Sequence, residues 1–142
     1  MPAEDTVRKA IDIFNSHDAN AFAALYAEDA VVYDPQYPQP LKGKEAIRKD
    51  IEDFFKAFPD VRCQLSNVIA SGDTVAFEGS VTGIHTGPLA APTGESIPAT
   101  NKRMDMRAAM FLRVNAQDLV TEERRYFDMA GLMQQLGLMP GA

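Results

Sequence analysis

The sequence predicts an α+β fold in which helices pack on one side of a curved antiparallel sheet. In the first third of the chain, apolar residues recur at helical spacing. From about residue 60 the apolar pattern alternates instead, with turn residues between the runs. A short amphipathic segment closes the chain. A strongly bent sheet covered by helices forms a cone, so we also expect a central pocket that suits a small molecule.

The first helix is predicted over residues 5–16, because their apolar side chains recur every three or four positions. Asp18 can cap a second, shorter helix over 19–27. The run 28–35 then indicates a short strand that Pro35 ends.

The clearest amphipathic helix is predicted over residues 44–58, after a proline-rich loop over 36–43. Its apolar positions are Ala46, Ile47, Ile51, Phe54, Phe55 and Phe58. Pro59 ends it. Two strands follow within 61–87 around a Ser-Gly-Asp turn. The Pro/Gly-rich loop over 88–101 has a length that is typical of functional loops.

A third long strand is predicted over 102–114 and a fourth over 119–127, followed by a terminal helix over 129–139 with Asp128 as its N-cap. The sequence has no internal repeat, linker or low-complexity tract. We therefore expect one domain over residues 1–142, a length that can bury a hydrophobic core.

The composition limits the classes of binding partner that we expect. The formal net charge is −6 and there is no basic run, which argues against nucleic acid or an anionic membrane. Cys63 is the only cysteine, so no intrachain disulfide is possible. Because we find no signal segment and no apolar run of membrane-spanning length, we expect a cytoplasmic protein.

Metal and nucleotide motifs are missing from the sequence. It contains no HExxH, CxxC, Walker or GxGxxG pattern, and no serine in a nucleophile elbow. We therefore predict no metal and no cofactor, so that any catalysis is acid/base chemistry by the side chains themselves.

The run KRMDMRAAMFLRV over residues 102–114 carries the main site hypothesis. Arg103, Asp105 and Arg107 alternate, so in a strand they share one face. We expect Arg103 and Asp105 to enter the hollow, where the guanidinium orients the carboxylate and lowers its pKa. The alternative is an ordinary ion pair on an exposed face of the sheet.

The other face of this strand is apolar. It carries Met104, Met106, Met110, Leu112 and Val114. An apolar outer face needs cover, so we predict a homodimer through the sheet face. The alternative is that these residues form the pocket wall and the charged face points outward.

Three further residues are candidates. His85 lies between Gly83 and Gly87 and can exchange protons with Asp105, or its ring can simply bond to the adjacent loop. Asp128 can face the pocket or only cap the last helix. Tyr33 can hold a substrate oxygen or a water, or belong to the core with its hydroxyl at the rim.

Several short segments, taken in their order along the chain, resemble the sequences of one known family. These are FNSHD, LYAEDAVVYDP, LKGKEAIR, AFPD, GIHTGPL, APTG and EERRYFDMAGLMQQLGL. Together they are similar to the SnoaL-like polyketide cyclases of the nuclear-transport-factor-2-like superfamily. The resemblance implies that His85 and Asp105 line the pocket, with the aspartate as acid/base in an intramolecular aldol closure.

The sequence also resembles limonene-type epoxide hydrolases of the same fold. That resemblance implies an Arg-x-Asp pair at Arg103 and Asp105, a second carboxylate at Asp128, and a tyrosine at Tyr33 that helps to hold a water. The asparagine of that site is absent, since Pro35 stands two positions past Tyr33.

We carry three hypotheses of function forward. The first is a cofactor-independent acid/base enzyme of the cyclase or isomerase type, acting on a small, hydrophobic, oxygenated molecule. The second is an epoxide hydrolase. The third is a module that binds a small hydrophobic molecule without catalysis, because this fold serves many functions.

Overall fold

A computed structural model describes residues 2–91 and 93–139. Its elements are α1 (Ala3–Asn15), α2 (Ala19–Ala23), β1 (Tyr26–Tyr33), β2 (Leu41–Lys42), α3 (Lys44–Ala57), β3 (Arg62–Ser71), β4 (Thr74–Ile84), β5 (Leu89–Ala90), β6 (Ser96–Ile97), β7 (Arg103–Val114), β8 (Val120–Phe127) and α4 (Met129–Gln135). The predicted α+β class is confirmed, with N-terminal helices, a curved sheet and a short last helix. The ends of the predicted 1–142 domain, and residue 92 in the predicted loop, lie outside the described residues.

The main sheet has six strands in the order β2-β1-β8-β7-β4-β3. Its central pairs are antiparallel, as predicted, and the β4–β7 pair runs from Thr74 opposite Arg113 to Ile84 opposite Arg103. The pair of β1 with β8 is parallel. A parallel pair needs a long connection, and here the chain passes through α3 and the meander between the two strands.

Helices α1 and α3 cover the inner face of the sheet because each has an apolar stripe. Helix α1 buries Val7 and Ala10, and α3 buries Ile47, Ile51 and Phe55. On the sheet side, the buried hydrophobic residues of β4 and β7 include Val75, Phe77, Val81, Met104, Ala108 and Leu112. The core therefore lies between the helices and one face of the sheet.

Two predicted boundaries differ from the structure. The predicted second helix ends at Ala23, because Tyr26 already pairs with Val120 in the sheet. The last helix ends at Gln135, because Gly137 adopts a left-handed conformation (φ 73°) that terminates it. The predicted loop 88–101 contains a small hairpin formed by β5 and β6.

Candidate functional site

A cavity lies between the inner face of the sheet and helices α1, α2 and α3. It holds about 980 Å³ of empty space, counted together with the solvent at its mouth. Most of its wall is apolar, and the larger apolar side chains on it are Phe14, Phe22, Ile51, Phe54, Phe77, Met106, Met110, Leu112 and Phe127. A cavity with this apolar lining suits a small hydrophobic molecule.

Strand β7 presents its two faces the other way round from our prediction. Arg103, Asp105 and Arg107 are exposed, whereas Met104 is buried and Met106 lines the cavity. The predicted alternation is present, but burial selects the methionine face, because moving apolar area out of water stabilises the fold. The prediction that Arg103 and Asp105 enter the hollow is therefore wrong.

The side chain of Asp105 points to solvent, and its backbone is hydrogen-bonded to α4. The side-chain amide of Gln135 accepts a hydrogen bond from the backbone N–H of Asp105 (2.8 Å) and donates one to its carbonyl (2.9 Å). Strand β8 pairs with β7 only from Ala108 onward. Gln135 thus satisfies backbone groups of β7 that no neighbouring strand reaches.

His85 and Asp105 lie on opposite sides of the sheet. In the β4–β7 register, Thr82 is opposite Asp105 and Gly83 is opposite Met104. Because side chains alternate, His85 projects inward with Met104, away from Asp105. The predicted His85–Asp105 contact is therefore wrong.

His85 ties the following loop to the core rather than lining the cavity. Its Nδ1 accepts a hydrogen bond from the backbone N–H of Thr100 (3.2 Å) and lies 3.0 Å from the hydroxyl oxygen of the same residue. The ring is fully buried and packs against Phe58, with 5.3 Å between ring centroids. Burial lowers the pKa of His85 below its ordinary value. The alternative in which this ring simply bonds to the loop is the one that the geometry supports.

Tyr33 and Asp128 are also outside the cavity. The Tyr33 ring is 38% exposed and lies under the guanidinium of Arg124, 4.2 Å from its central carbon. Asp128 is exposed and caps α4, accepting a hydrogen bond from the backbone N–H of Gly131 (2.9 Å). The cavity-lining residues that the structure describes thus include none of the five predicted catalytic residues.

The polar part of the cavity is a cluster around Arg125, whose side chain is only 9% exposed. Its Nη1 donates to Asp34 (3.0 Å) and to Asp50 (2.8 Å), and its Nε donates to Glu123 (2.5 Å). We call these four residues the Arg125 cluster. Three carboxylates thus share one guanidinium at the end of an apolar cavity.

Three separate stretches of chain position this cluster. Asp34 directly follows β1, and its other oxygen accepts from the backbone N–H of Gln36 (2.8 Å). Asp50 lies on the inner face of α3, one turn from Ile47 and from Phe54. Glu123 and Arg125 alternate on β8, so both project inward.

Two tyrosines complete the hydrogen bonds of the cluster. Tyr26 donates its hydroxyl proton to Glu123 (2.5 Å), and Tyr37 donates its own to Asp50 (2.6 Å). Burial and the neighbouring Glu123 charge raise the pKa of Tyr26 well above its ordinary value, and burial and Asp50 do the same for Tyr37. Both phenols therefore stay protonated and act as donors near neutral pH.

The carboxylates also keep Arg125 positively charged. Burial by itself lowers the pKa of this guanidinium, but Glu123, Asp50 and Asp34 outweigh that effect and raise the pKa well above its ordinary value. With its carboxylates ionised, the Arg125 cluster carries two net negative charges. Buried charge of this kind is costly unless it is paired, which makes the cluster a candidate for function rather than for stability alone.

The sequence contained a signal for this cluster. Asp50 interrupts an otherwise apolar helix face at the spacing of the core residues Ile47, Ile51 and Phe54. In EERR, Glu123 and Arg125 alternate in the same way as Arg103 and Asp105. Tyr37 stands in the proline-rich loop, where periodicity gives no direction for a side chain.

A comparison with models of protein families identifies the family of the chain. The model of the SnoaL-like polyketide cyclases matches residues 4–136. The chain belongs to the SnoaL-like polyketide cyclase family. The predicted family is thereby confirmed. No curated protein matches the sequence.

Solved structures show the same fold for this SnoaL-like protein. A SnoaL-like polyketide cyclase from Jannaschia sp. CCS1 has a TM-score of 0.82 at 18% identity, covering 97% of this chain and 93% of that one. IdmH from Streptomyces antibioticus, assigned as a polyketide cyclase, has a TM-score of 0.77 at 22% identity over 96% of this chain and 99% of its own. SalBIII, an epoxide hydrolase/cyclase-like enzyme in salinomycin pyran-ring formation, has a TM-score of 0.75 at 16% identity, with coverages of 89% and 91%.

The outer face of the sheet in this SnoaL-like protein differs from the predicted dimer face. The methionines proposed for it are Met104, Met106 and Met110, and all three lie on the inner side. Instead, the outer face exposes Phe111 (49%) and Tyr126 (54%), whose rings meet edge to face. The methionines therefore no longer support the predicted homodimer. The exposed aromatic pair is another surface through which it could form.

Two observations concern the described part of the chain as a whole. None of its helices is both long and apolar enough to cross a membrane. Its His, Cys, Asp and Glu side chains form no group of three or more that could hold a metal ion. The carboxylates of the Arg125 cluster converge on a guanidinium instead.

Proposed function

We propose that this SnoaL-like protein is a cofactor-independent acid/base enzyme of the cyclase or isomerase type. Its substrate is a small, hydrophobic, oxygenated molecule bound in the cavity. The observation that carries the proposal is Asp50, a carboxylate on an apolar wall that is oriented by Arg125 at 2.8 Å and by Tyr37 at 2.6 Å. Membership of the SnoaL-like family supports the general kind of chemistry.

In this proposal Asp50 is the acid/base. It removes a proton from a carbon next to a carbonyl, and the electron pair of that C–H bond forms an enolate. The enolate carbon attacks a second carbonyl of the same molecule, and the protonated Asp50 returns the proton to the new alkoxide. A positioned acid/base of this kind contributes about 10²- to 10⁴-fold in rate.

The neighbours of Asp50 have supporting roles. Arg125 fixes the direction of the carboxylate through a hydrogen bond of 2.8 Å, which a base requires before the reaction starts. The hydroxyl of Tyr37 donates its one proton to Asp50, so it fixes the position of the second carboxylate oxygen. The apolar wall excludes water and strengthens both interactions.

Exchange of carbon-bound protons tests this role directly. β-Tetralone, a hydrophobic ketone with acidic C–H groups, is incubated with the protein in deuterium oxide, and its exchange is followed by NMR. We expect the protein to accelerate exchange above buffer, and Asp50→Asn to lose about 100-fold or more of that acceleration. No acceleration by the unmodified protein would contradict the proposal.

A second candidate, an epoxide hydrolase, is favoured by the two aspartates that share Nη1 of Arg125. One of Asp34 and Asp50 would protonate the epoxide oxygen while the other activates water. Styrene oxide in ¹⁸O-labelled water distinguishes this reaction, because it yields a singly labelled diol. Diol formation that either Asp34→Asn or Asp50→Asn abolishes would support it over the cyclase type.

The third hypothesis, binding without catalysis, predicts a different response of the same variant. If the cavity only binds, Asp50→Asn leaves no rate to lose, and the unmodified protein does not accelerate the exchange of a ketone that it binds. Binding of β-tetralone with exchange at the buffer rate would therefore favour a binding module.

A further inference from the structure

The cavity wall carries an excess of negative charge. Four carboxylates line it, namely Asp34, Asp50, Asp53 and Glu123, and the one cation among the described lining residues is Arg125. With all of them ionised, the lining carries three net negative charges. This imbalance bears on which ligands the cavity accepts.

Most of the N–H donors of Arg125 are already used. Both protons of its Nη1 and the proton of its Nε, three of its five donors, are directed at carboxylates of the cluster. A ligand carboxylate at this end of the cavity would meet three like charges and one committed guanidinium. In a poorly solvated space the repulsion between like charges is much stronger than in water.

Asp53 adds a negative charge nearer the mouth. Its side chain is 25% exposed, and it pairs with Lys49 at 3.0 Å. Lys49 is 70% exposed and is not part of the lining, so the carboxylate of this pair, and not the ammonium, faces the cavity. Asp53 therefore biases the entrance in the same direction as the Arg125 cluster biases the interior.

The aromatic wall favours the opposite charge independently. The ring of Phe14 lies 6.2 Å from that of Phe22 and 6.3 Å from that of Phe54, and all three rings line the cavity. Faces of aromatic rings attract cations, and cages of such rings recognise organic ammonium groups. Carboxylates and aromatic rings on one wall thus suit the same class of ligand.

We propose that the cavity selects its ligand by charge and takes a hydrophobic molecule that bears a basic nitrogen, in preference to neutral analogues, while carboxylates are excluded. This inference rests on the proposed function, since it takes the cavity as the substrate site and names the substrate class. The ammonium group lies against Asp53, which leaves Asp50 free as the proposed base, and the hydrophobic body lies along the apolar wall.

Three probes with one hydrophobic body test the selection: naphthylethylammonium, naphthylethanol and naphthylacetate. Dissociation constants are measured by NMR of ¹³C-labelled methionine methyl groups, because Met106 and Met110 line the cavity and report binding there. We expect the ammonium to bind at least about tenfold more tightly than the alcohol, with the carboxylate weakest. Asp53→Asn should reduce the preference for ammonium over alcohol roughly threefold.

The control is Asp105→Asn, which removes the same charge from the outer face of the sheet. It should leave the preference unchanged, which separates a local effect from one of total charge. Equal binding of the three probes, or tighter binding of the carboxylate, overturns the charge selection. The proposed acid/base function is judged separately by β-tetralone exchange, so either result can fail alone.

Discussion

Tyr37 donates a 2.6 Å hydrogen bond to Asp50, although one residue lies in a proline-rich loop and the other on a helix. The same carboxylate accepts a second hydrogen bond from Arg125, which β8 contributes. A loop, a helix and a strand therefore meet at one carboxylate.

Tyr37→Phe should reduce the proposed exchange activity about tenfold, because it removes one hydrogen bond near the reacting atoms. Burial and Asp50 raise the pKa of Tyr37 above its ordinary value, so the hydroxyl remains a donor at alkaline pH. We therefore expect exchange activity to persist up to pH about 10, where an ordinary phenol is already half ionised. A decline between about pH 9 and 10 in the unmodified protein that is absent from Tyr37→Phe would contradict this.

Arg125→Met should destabilise the protein by about 3–5 kcal/mol, because it leaves buried carboxylates without their cation. The free energy of unfolding is obtained from urea titrations monitored by circular dichroism. The matched control is Arg103→Met on the exposed face of β7, which should change stability by less than about 0.5 kcal/mol. Similar losses in both variants would contradict the assignment of Arg125 to the buried face and of Arg103 to the exposed face.

His85 should make the protein less stable as the pH falls. Burial lowers its pKa in the folded state, so the unfolded chain takes up the proton first. The stability lost in this way begins near the ordinary histidine pKa of about 6.5 and grows until the lower folded pKa is reached. Urea unfolding at pH 7.5, 6.5 and 5.5 should show this slope.

His85→Asn is the matched variant, because its amide oxygen can accept from Thr100 N–H as Nδ1 does, but it does not titrate. The slope between pH 6.5 and 5.5 should become shallower by up to about 1.4 kcal/mol per pH unit. An unchanged slope would place the pH dependence on other groups.

The homodimer stays a prediction, now through Phe111 and Tyr126 rather than through the methionines. Sedimentation equilibrium of the unmodified protein should give twice the chain mass, and Phe111→Ser should shift the equilibrium toward monomer. Lys9→Ser, on the exposed side of α1, serves as the control. A monomeric unmodified protein at high micromolar concentration would remove the dimer from the account.

The fold was predictable because its signals are local and repeated. Helix α3 has an apolar stripe over four turns, and β4 and β7 alternate over eleven and twelve residues. The boundary between α2 and β1 near Tyr26 was not predictable from the sequence. The local pattern allows either a helix or a strand there, and the pairing of Tyr26 with Val120 in the sheet selects the strand. The left-handed turn at Gly137 is a recognisable helix stop that the prediction of a longer last helix overlooked.

The site was less predictable because alternation does not say which face is inside. On β7 the charged face was placed inward, but six apolar positions on the other face outweighed three charges that had no buried partners. On β8, Glu123 and Arg125 are inward because Asp34, Asp50 and Tyr26 are there to pair with them. Such partners come from distant elements, so only the assembled fold identifies the buried charged pair.

The rate of β-tetralone exchange in two matched variants distinguishes the cavity from the outer face as the catalytic site. Asp50→Asn and Asp105→Asn make the same chemical change, one in the cavity and one on the outer face. We expect Asp50→Asn to lose about 100-fold or more of the exchange rate, while Asp105→Asn keeps the rate of the unmodified protein. Loss of activity in Asp105→Asn with activity retained in Asp50→Asn would contradict it and move the site to the outer face of the sheet.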